Sequence, residues 1–288
     1  FWSKIMQLAM IEDRVLPFEK LDPAYCDRGT FFGDGVYEVM RSYDGKLFAF
    51  EEHIQRFAQS LAGIEIDGID LDLIRSRVRH AFEQSKIPNA KIYWHITRGS
   101  GPRDHCGQSD LTPNFLLTVM ELDDAAAAEE KKKGITVSTH PDWRWKRCDI
   151  KSLNLLANVL ARRDAQKKGC SEAILFDEQG LVTEGSASAF FIVFEQTLQT
   201  VPLTANILPS ITRAFVLDAA HSVGLTILEK SFTPQQAATA AEMFIAVTTK
   251  DIIPVVKFDE STIGNGTPGP YTKKLTKEFR NRVGRHCS

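Results

Sequence analysis

The chain runs to 288 residues, 43% hydrophobic and 25% charged, an ordinary globular composition that can bury one large core or, as we expect, two smaller ones. Its 35 Lys and Arg nearly balance its 37 Asp and Glu, for a formal net charge of -2, and no long basic tract marks a nucleic-acid or membrane partner, so small-molecule chemistry is the default. The cysteines Cys26, Cys106, Cys148, Cys170 and Cys287 are scattered without Cys-x-x-Cys spacing, and the longest strongly apolar run, Ala189 to Phe194, falls far short of the ~20 residues that cross a bilayer; a soluble protein of a reducing cytoplasm, without a metal site, is expected.

In chain order, Lys4 to Ile11, Gly35 to Ser42 and Lys46 to Phe50 carry β-type residues, and Asp44-Gly45 between the last two is a hairpin signal. Two helices follow. Glu51 to Ala62 spaces Ile54, Phe57 and Leu61 three and four apart, and Leu71 to Gln84 repeats the pattern with Leu73, Val78 and Phe82. Ala90 to Thr97 and Asn114 to Glu121 predict two strands of one sheet, completing a smaller N-terminal α/β domain over residues 1–122. Residues 123–133 combine four consecutive alanines with Glu129-Glu130-Lys131-Lys132-Lys133, suited to an interdomain connection or a short exposed helix.

Residues 134–288 form the larger C-terminal domain. A strand is predicted near Gly134 to Thr139, a helix from Leu153 to Lys168, and a hairpin from Glu172 to Thr183 turning at Asp177-Glu178-Gln179-Gly180. A strand from Ala187 to Phe194 precedes a helix from about Pro209, tolerated in a first turn, to Val223. The β-rich segment Met243 to Phe258 leads to a polar helix from about Tyr271, and the fold class is α+β.

Chemistry enters with Lys151, within Arg147-Cys148-Asp149-Ile150-Lys151-Ser152-Leu153-Asn154, and Glu184, within Val182-Thr183-Glu184-Gly185. Taken singly, such residues are most often a solvated lysine and a hairpin glutamate. Together they suit a Schiff-base enzyme: an amine holds an aldehyde cofactor only if it can shed its proton, and a carboxylate facing the cofactor's ring nitrogen keeps that ring an electron sink. Pyridoxal phosphate is the cofactor this pairing implies.

Two blocks carry a wider likeness: Asp27-Arg28-Gly29 with Phe32-Gly33-Asp34-Gly35-Val36-Tyr37-Glu38-Val39, and the run from Cys148 to Gly185. On these, the chain resembles the class IV pyridoxal-phosphate aminotransferases from Asp27 to about Arg280, and among them is most similar to the D-amino-acid transaminases. The resemblance implies a two-domain fold-type-IV enzyme whose cofactor-binding domain holds a β-barrel-like sheet with flanking helices. It implies that Lys151 anchors pyridoxal 5'-phosphate and then shuttles a proton, that Glu184 pairs with the pyridine nitrogen, and that Leu208 packs on one ring face. Arg56, Ile211, Thr212 and Thr248 match the phosphate cradle, Ile211 acting through its backbone at a helix start.

Substrate choice rests, on the same resemblance, on Pro102-Arg103-Asp104-His105. Arg103 and His105 with Tyr37 match a trap for the substrate α-carboxylate, for which the planar donors of arginine are suited. The loop is expected to reach in from the neighbouring subunit of a homodimer. The reaction implied is ping-pong transfer of the amino group of a D-amino acid, such as D-alanine, to a 2-oxo acid, such as 2-oxoglutarate. Alternatives of the same fold are a branched-chain L-amino-acid aminotransferase, whose loop normally lacks Pro-Arg-x-His, and an aminodeoxychorismate lyase, which eliminates pyruvate. The chain departs from the family where Glu184-Gly185-Ser186-Ala187-Ser188-Ala189 replaces the common Glu-Gly-Ser-Ser-Ser-Asn, at Ser210 in place of glycine, and at Val247 in place of a hydroxyl residue.

Overall fold

The computed structural model describes residues 6–107 and 110–287. The chain opens on a hairpin of β1 (Leu8–Ile11) and β2 (Arg14–Pro17). Sequence patterning places a strand from Lys4 to Ile11 here; Lys4 and Ile5 lie outside the described residues, and the partner strand β2 was not foreseen. A short helix, α1 (Arg28–Phe32), leads into β3 (Gly35–Tyr43) and β4 (Lys46–Leu47). β4 is shorter than the expected strand because Ala49 turns left-handed at φ 53 and Phe50 already starts the next helix. That helix, α2 (Phe50–Gly63), is followed by α3 (Leu71–Ser85), β5 (Ala90–Thr97) and β6 (Asn114–Glu121).

These strands form an antiparallel sheet in the order β4-β3-β5-β6. Side chains alternate across a strand with period two, so its faces differ. Val36, Met40, Ile92 and Trp94 turn to α2 and α3, where Ile54, Phe57, Ile74 and Val78 complete a buried core. The opposite face is set by the register pairs Tyr37↔His95, Val39↔Tyr93 and Arg41↔Lys91. Of the two possibilities read from residues 123–133, the chain takes the helical one, α4 (Asp124–Lys133), where alanine favours helix and Asp123 accepts from the Ala126 amide at the N-cap.

The second sheet follows in β7 (Ile135–Pro141), α5 (Leu156–Lys167), β8 (Glu172–Phe176), β9 (Val182–Gly185), β10 (Ala189–Phe194) and β11 (Thr197–Thr200). Then come α6 (Ile211–Ser222), β12 (Thr226–Glu229), α7 (Pro234–Ala237), β13 (Glu242–Val247), β14 (Asp251–Phe258), β15 (Ser261–Thr262) and α8 (Pro270–His286). Its path is β12-β11-β10-β13-β14-β7-β8-β9, with β15 on β14. β9 closes one edge while β10 lies well inside the sheet, yet only residues 186–188 join them, tied by the Gly185 amide to the Ser188 carbonyl at 2.7 Å. The sheet must therefore curl back on itself, which gives the barrel-like shape. Phe191, Val193 and Phe244 pack on α6 and α8, and Ile192, Ile245 and Ile253 fill the other side. No described helix is long and apolar enough to cross a membrane.

Two helix starts differ from the sequence reading, and both matter for the site. α5 begins at Leu156 rather than Leu153 because residues 151–153 run alongside β3, where the Tyr37 amide donates to the Lys151 carbonyl and the Leu153 amide to the Gly35 carbonyl, each at 2.9 Å. α6 begins at Ile211, one residue past Ser210, whose hydroxyl caps it by accepting from the Arg213 amide; Pro209 lies outside the helix.

Candidate active site

Lys151 is held between the two sheets. Its backbone is pinned to β3, its amide donates to Ser60 Oγ at 3.1 Å, and its Nζ lies 4.4 Å from the centroid of the Tyr37 ring. It lines a cavity of about 650 Å³. Tyr37 from β3, Arg56 from α2, Glu184 at the end of β9, Leu208 before α6 and Thr248 after β13 line the same space. Thr212, in the first turn of α6, stands with its hydroxyl 3.5 Å from that of Thr248.

Glu184 is buried, and Arg144 donates to its Oε1, as does the Leu208 amide at 3.1 Å. Arg144 is itself clamped by Asp142, Nη2 to Oδ2 at 2.7 Å, and Asp142 accepts from Thr183 Oγ1 at 2.8 Å. Burial pushes the Glu184 carboxyl above its ordinary range, and the Arg144 charge pulls part of that rise back. Burial likewise lifts the neighbouring Cys148 thiol to about 11, so it is protonated at neutral pH. The sequence reading missed Arg144, forty residues from its partner in the chain; the only local signal was an arginine in Asp142-Trp143-Arg144-Trp145 just ahead of Lys151.

At the other end, Arg56 makes a two-pronged contact with Glu38, Nε to Oε1 and Nη2 to Oε2 both at 2.7 Å, and donates through Nη1 to the Pro209 carbonyl at 3.1 Å. His53 Nδ1 lies 2.7 Å from the same carboxylate. Burial alone would raise the Glu38 carboxyl, but Arg56 and His53 hold it at about 2. Burial lowers His53 in turn, so we take the lasting positive charge to be that of Arg56. The guanidinium is thus fixed beside the N-terminus of α6, where the amides of Ile211 and Thr212 bond to no acceptor among the described residues.

A second buried carboxylate, Glu172, accepts from the hydroxyls of Ser186 and Ser188, the latter at 3.1 Å, and meets Arg162 Nη1 at 2.9 Å. Both hydroxyls retained in the departing Ser186-Ala187-Ser188 motif are therefore spent on Glu172. Gly185 is required just ahead of them, since a Cβ there would lie 2.1 Å from Ser188 Oγ.

Arg103 and His105 are elsewhere. Both are exposed and lie against Phe32 at 5.3 and 5.2 Å between centres, with Arg28 donating to the carbonyls of Asp104 and His105 at 2.5 and 3.0 Å. Neither lines the cavity that holds Lys151.

Residues 35–258 match the family model described as amino-transferase class IV. The chain belongs to this family. It is 40% identical over 261 residues to a D-alanine aminotransferase of Bacillus licheniformis, covering 89% of this chain and 90% of that protein. Among solved structures, a branched-chain amino acid aminotransferase of Escherichia coli superposes with a TM-score of 0.85 at 23% identity, covering 94% of this chain and 92% of that one. A hypothetical aminotransferase from Mycobacterium tuberculosis, solved in its PLP-bound form, gives 0.80 at 19% identity, covering 94% and 96%. At these identities the solved structures establish the fold.

Class IV aminotransferases work with pyridoxal 5'-phosphate, and the residues of this aminotransferase fit that group. A helix N-terminus with open amides, an adjacent arginine and two threonine hydroxyls suit its phosphate. A buried carboxylate held by Arg144 suits a protonated ring nitrogen, and a lysine amine lies in the same cavity.

Proposed function

We propose that this aminotransferase moves the amino group of a D-amino acid, D-alanine among them, to a 2-oxo acid such as 2-oxoglutarate, in alternating half-reactions. The observation that carries the reading is the convergence of Lys151, Glu184 and the N-terminus of α6 on one cavity. The choice of D-substrates is supported by the D-alanine aminotransferase relative and by Pro102-Arg103-Asp104-His105.

Bound pyridoxal phosphate supplies an electrophilic carbon for amines and a ring that draws electrons from the substrate carbon. Arg56, the amides of Ile211 and Thr212, and the hydroxyls of Thr212 and Thr248 hold the phosphate; Leu208 packs on a ring face. Glu184 keeps a proton on the ring nitrogen, its own charge maintained by Arg144. Lys151 would anchor the group, and its Nζ would take the proton from the substrate α-carbon and deliver it to the cofactor carbon that keeps the amino group. Tyr37, Arg103 and His105 bind the α-carboxylate.

In this reading the chain acts as a cytoplasmic homodimer, with residues 1–122 and 134–288 as two domains joined through 123–133. The support is that Arg103 and His105 do not line their own chain's cavity, and that Leu156, Trp143 and Met120 stand exposed. Mixing Lys151→Ala with Arg103→Ala subunits tests it: at D-alanine concentrations well below KM, activity above that of either parent alone is expected, because half the sites of a mixed dimer are then intact. A panel of D- and L-amino acids tests the substrate. Turnover of L-leucine or L-valine without any D-amino acid would favour the branched-chain alternative, and pyruvate release without an acceptor would favour the lyase.

A further inference from the structure

The sheet face that carries Tyr37 into the cavity continues along the strand pair to Val39 and then Lys91, and both line the same space. Lys91 stands opposite Arg41, whose Nη1 donates to the Thr249 carbonyl at 3.1 Å, so this end of the cavity lies beside the turn after β13. There Lys250 is already committed to Glu130 at 2.7 Å, a pair with no net charge. Lys91 is half-buried and has no acidic partner among the described residues. Arg163, the other lining cation besides Lys151 without one, stands on the exposed side of α5 and not on the face of Tyr37.

We infer that Lys91 receives the distal carboxylate of a dicarboxylic substrate, an acidic D-amino acid or its 2-oxo counterpart. This rests on the proposed function, in which the α-carboxylate is held at Tyr37. Four residues of strand separate the level of Tyr37 from that of Arg41 and Lys91, about 13 Å, a gap that a five-carbon dicarboxylate and the four-methylene stem of a lysine cover together. Val39, midway, is the apolar floor for the substrate's methylenes. A monocarboxylic substrate with a short side chain stops at Val39 and leaves Lys91 solvated. The pocket is thereby permissive for small apolar side chains and selective for acidic ones among the longer ones.

The test compares Lys91→Met, which keeps length and removes charge, and Lys91→Arg with the unaltered, cofactor-loaded enzyme. With D-alanine as donor, formation of D-glutamate from 2-oxoglutarate and of D-2-aminobutyrate from 2-oxobutyrate is followed by chiral chromatography. Lys91→Met is expected to raise KM for 2-oxoglutarate about tenfold or more, with kcat and the KM for 2-oxobutyrate changed less than about twofold; Lys91→Arg should stay near the unaltered enzyme. Calorimetric titration with glutarate and butyrate, which have no reacting carbonyl, gives a readout free of turnover, and only glutarate should weaken in Lys91→Met. Equal effects on both acceptors, or none on 2-oxoglutarate and glutarate, overturn the assignment. An unaltered enzyme inactive with every D-amino acid would instead defeat the proposed function, and the glutarate titration would then judge Lys91 alone.

Discussion

Replacing Glu38 by Gln removes the only carboxylate among the described residues that the Arg56 guanidinium contacts, in a place where Glu38 is fully buried and Arg56 nearly so. The carboxyl is held at about 2 against an ordinary 4.5, a depression equivalent to about 3 kcal/mol of folding free energy. That agrees with the ~3–5 kcal/mol lost when one partner of a buried ion pair is taken away. For a chain of this size the loss is expected to lower Tm by about 6 to 10 °C, read by circular dichroism on cofactor-free protein at pH 7. The sign of the pH dependence follows from the direction of the shift. Because the folded carboxyl is depressed, its stabilisation is complete above about 4.5 and drains away as pH falls toward about 2. The gap between Glu38→Gln and the unaltered protein should therefore be widest at neutral pH and narrow through that window. A Tm within about 2 °C at pH 7, or a gap independent of pH, would show that Arg56 is not held by Glu38.

Lys151→Ala should abolish transamination by about a thousandfold or more, together with the visible absorbance of the lysine-bound cofactor; a spectrum that survives would mean the anchor is another residue. Arg144→Met leaves Glu184 buried without its cation, so the carboxyl rises further and is more often protonated at pH 7. We expect kcat/KM to fall roughly 10- to 100-fold at pH 7 and to recover as pH rises, because the carboxylate is then restored; a flat pH profile for the loss would point to misfolding. Arg103→Ala should raise KM for D-alanine about tenfold or more with the cofactor spectrum unchanged, and an unchanged KM would remove Arg103 from the carboxylate trap.

The periodic segments of the first sheet and its helices were legible because their signals are local: Ile54, Phe57 and Leu61 share a helix face, and β3 and β5 alternate. Boundaries shifted where a distant contact intervened. Leu153 fits a helical pattern, yet its amide is taken by Gly35, so Lys151 stays in extended chain against β3. β11 and β12 escaped notice as strands of four residues each, paired with each other in parallel.

For the site, the sequence by itself determined which residues are candidates for the proposed chemistry. Lys151, Glu184, Arg56 and the Ile211-Thr212 helix start stand in ordered motifs, and a motif is a local property of the chain. Only the tertiary structure decided how those groups are charged and held. Glu38 neutralises Arg56 across 18 residues of chain, Arg144 neutralises Glu184 across 40, Glu172 collects two serine hydroxyls, and Arg103 and His105 stay outside their own chain's cavity. The reason is physical: the state of a buried ion depends on which other charges the fold brings within hydrogen-bonding distance and on how much water it removes, and neither is encoded by spacing along the chain.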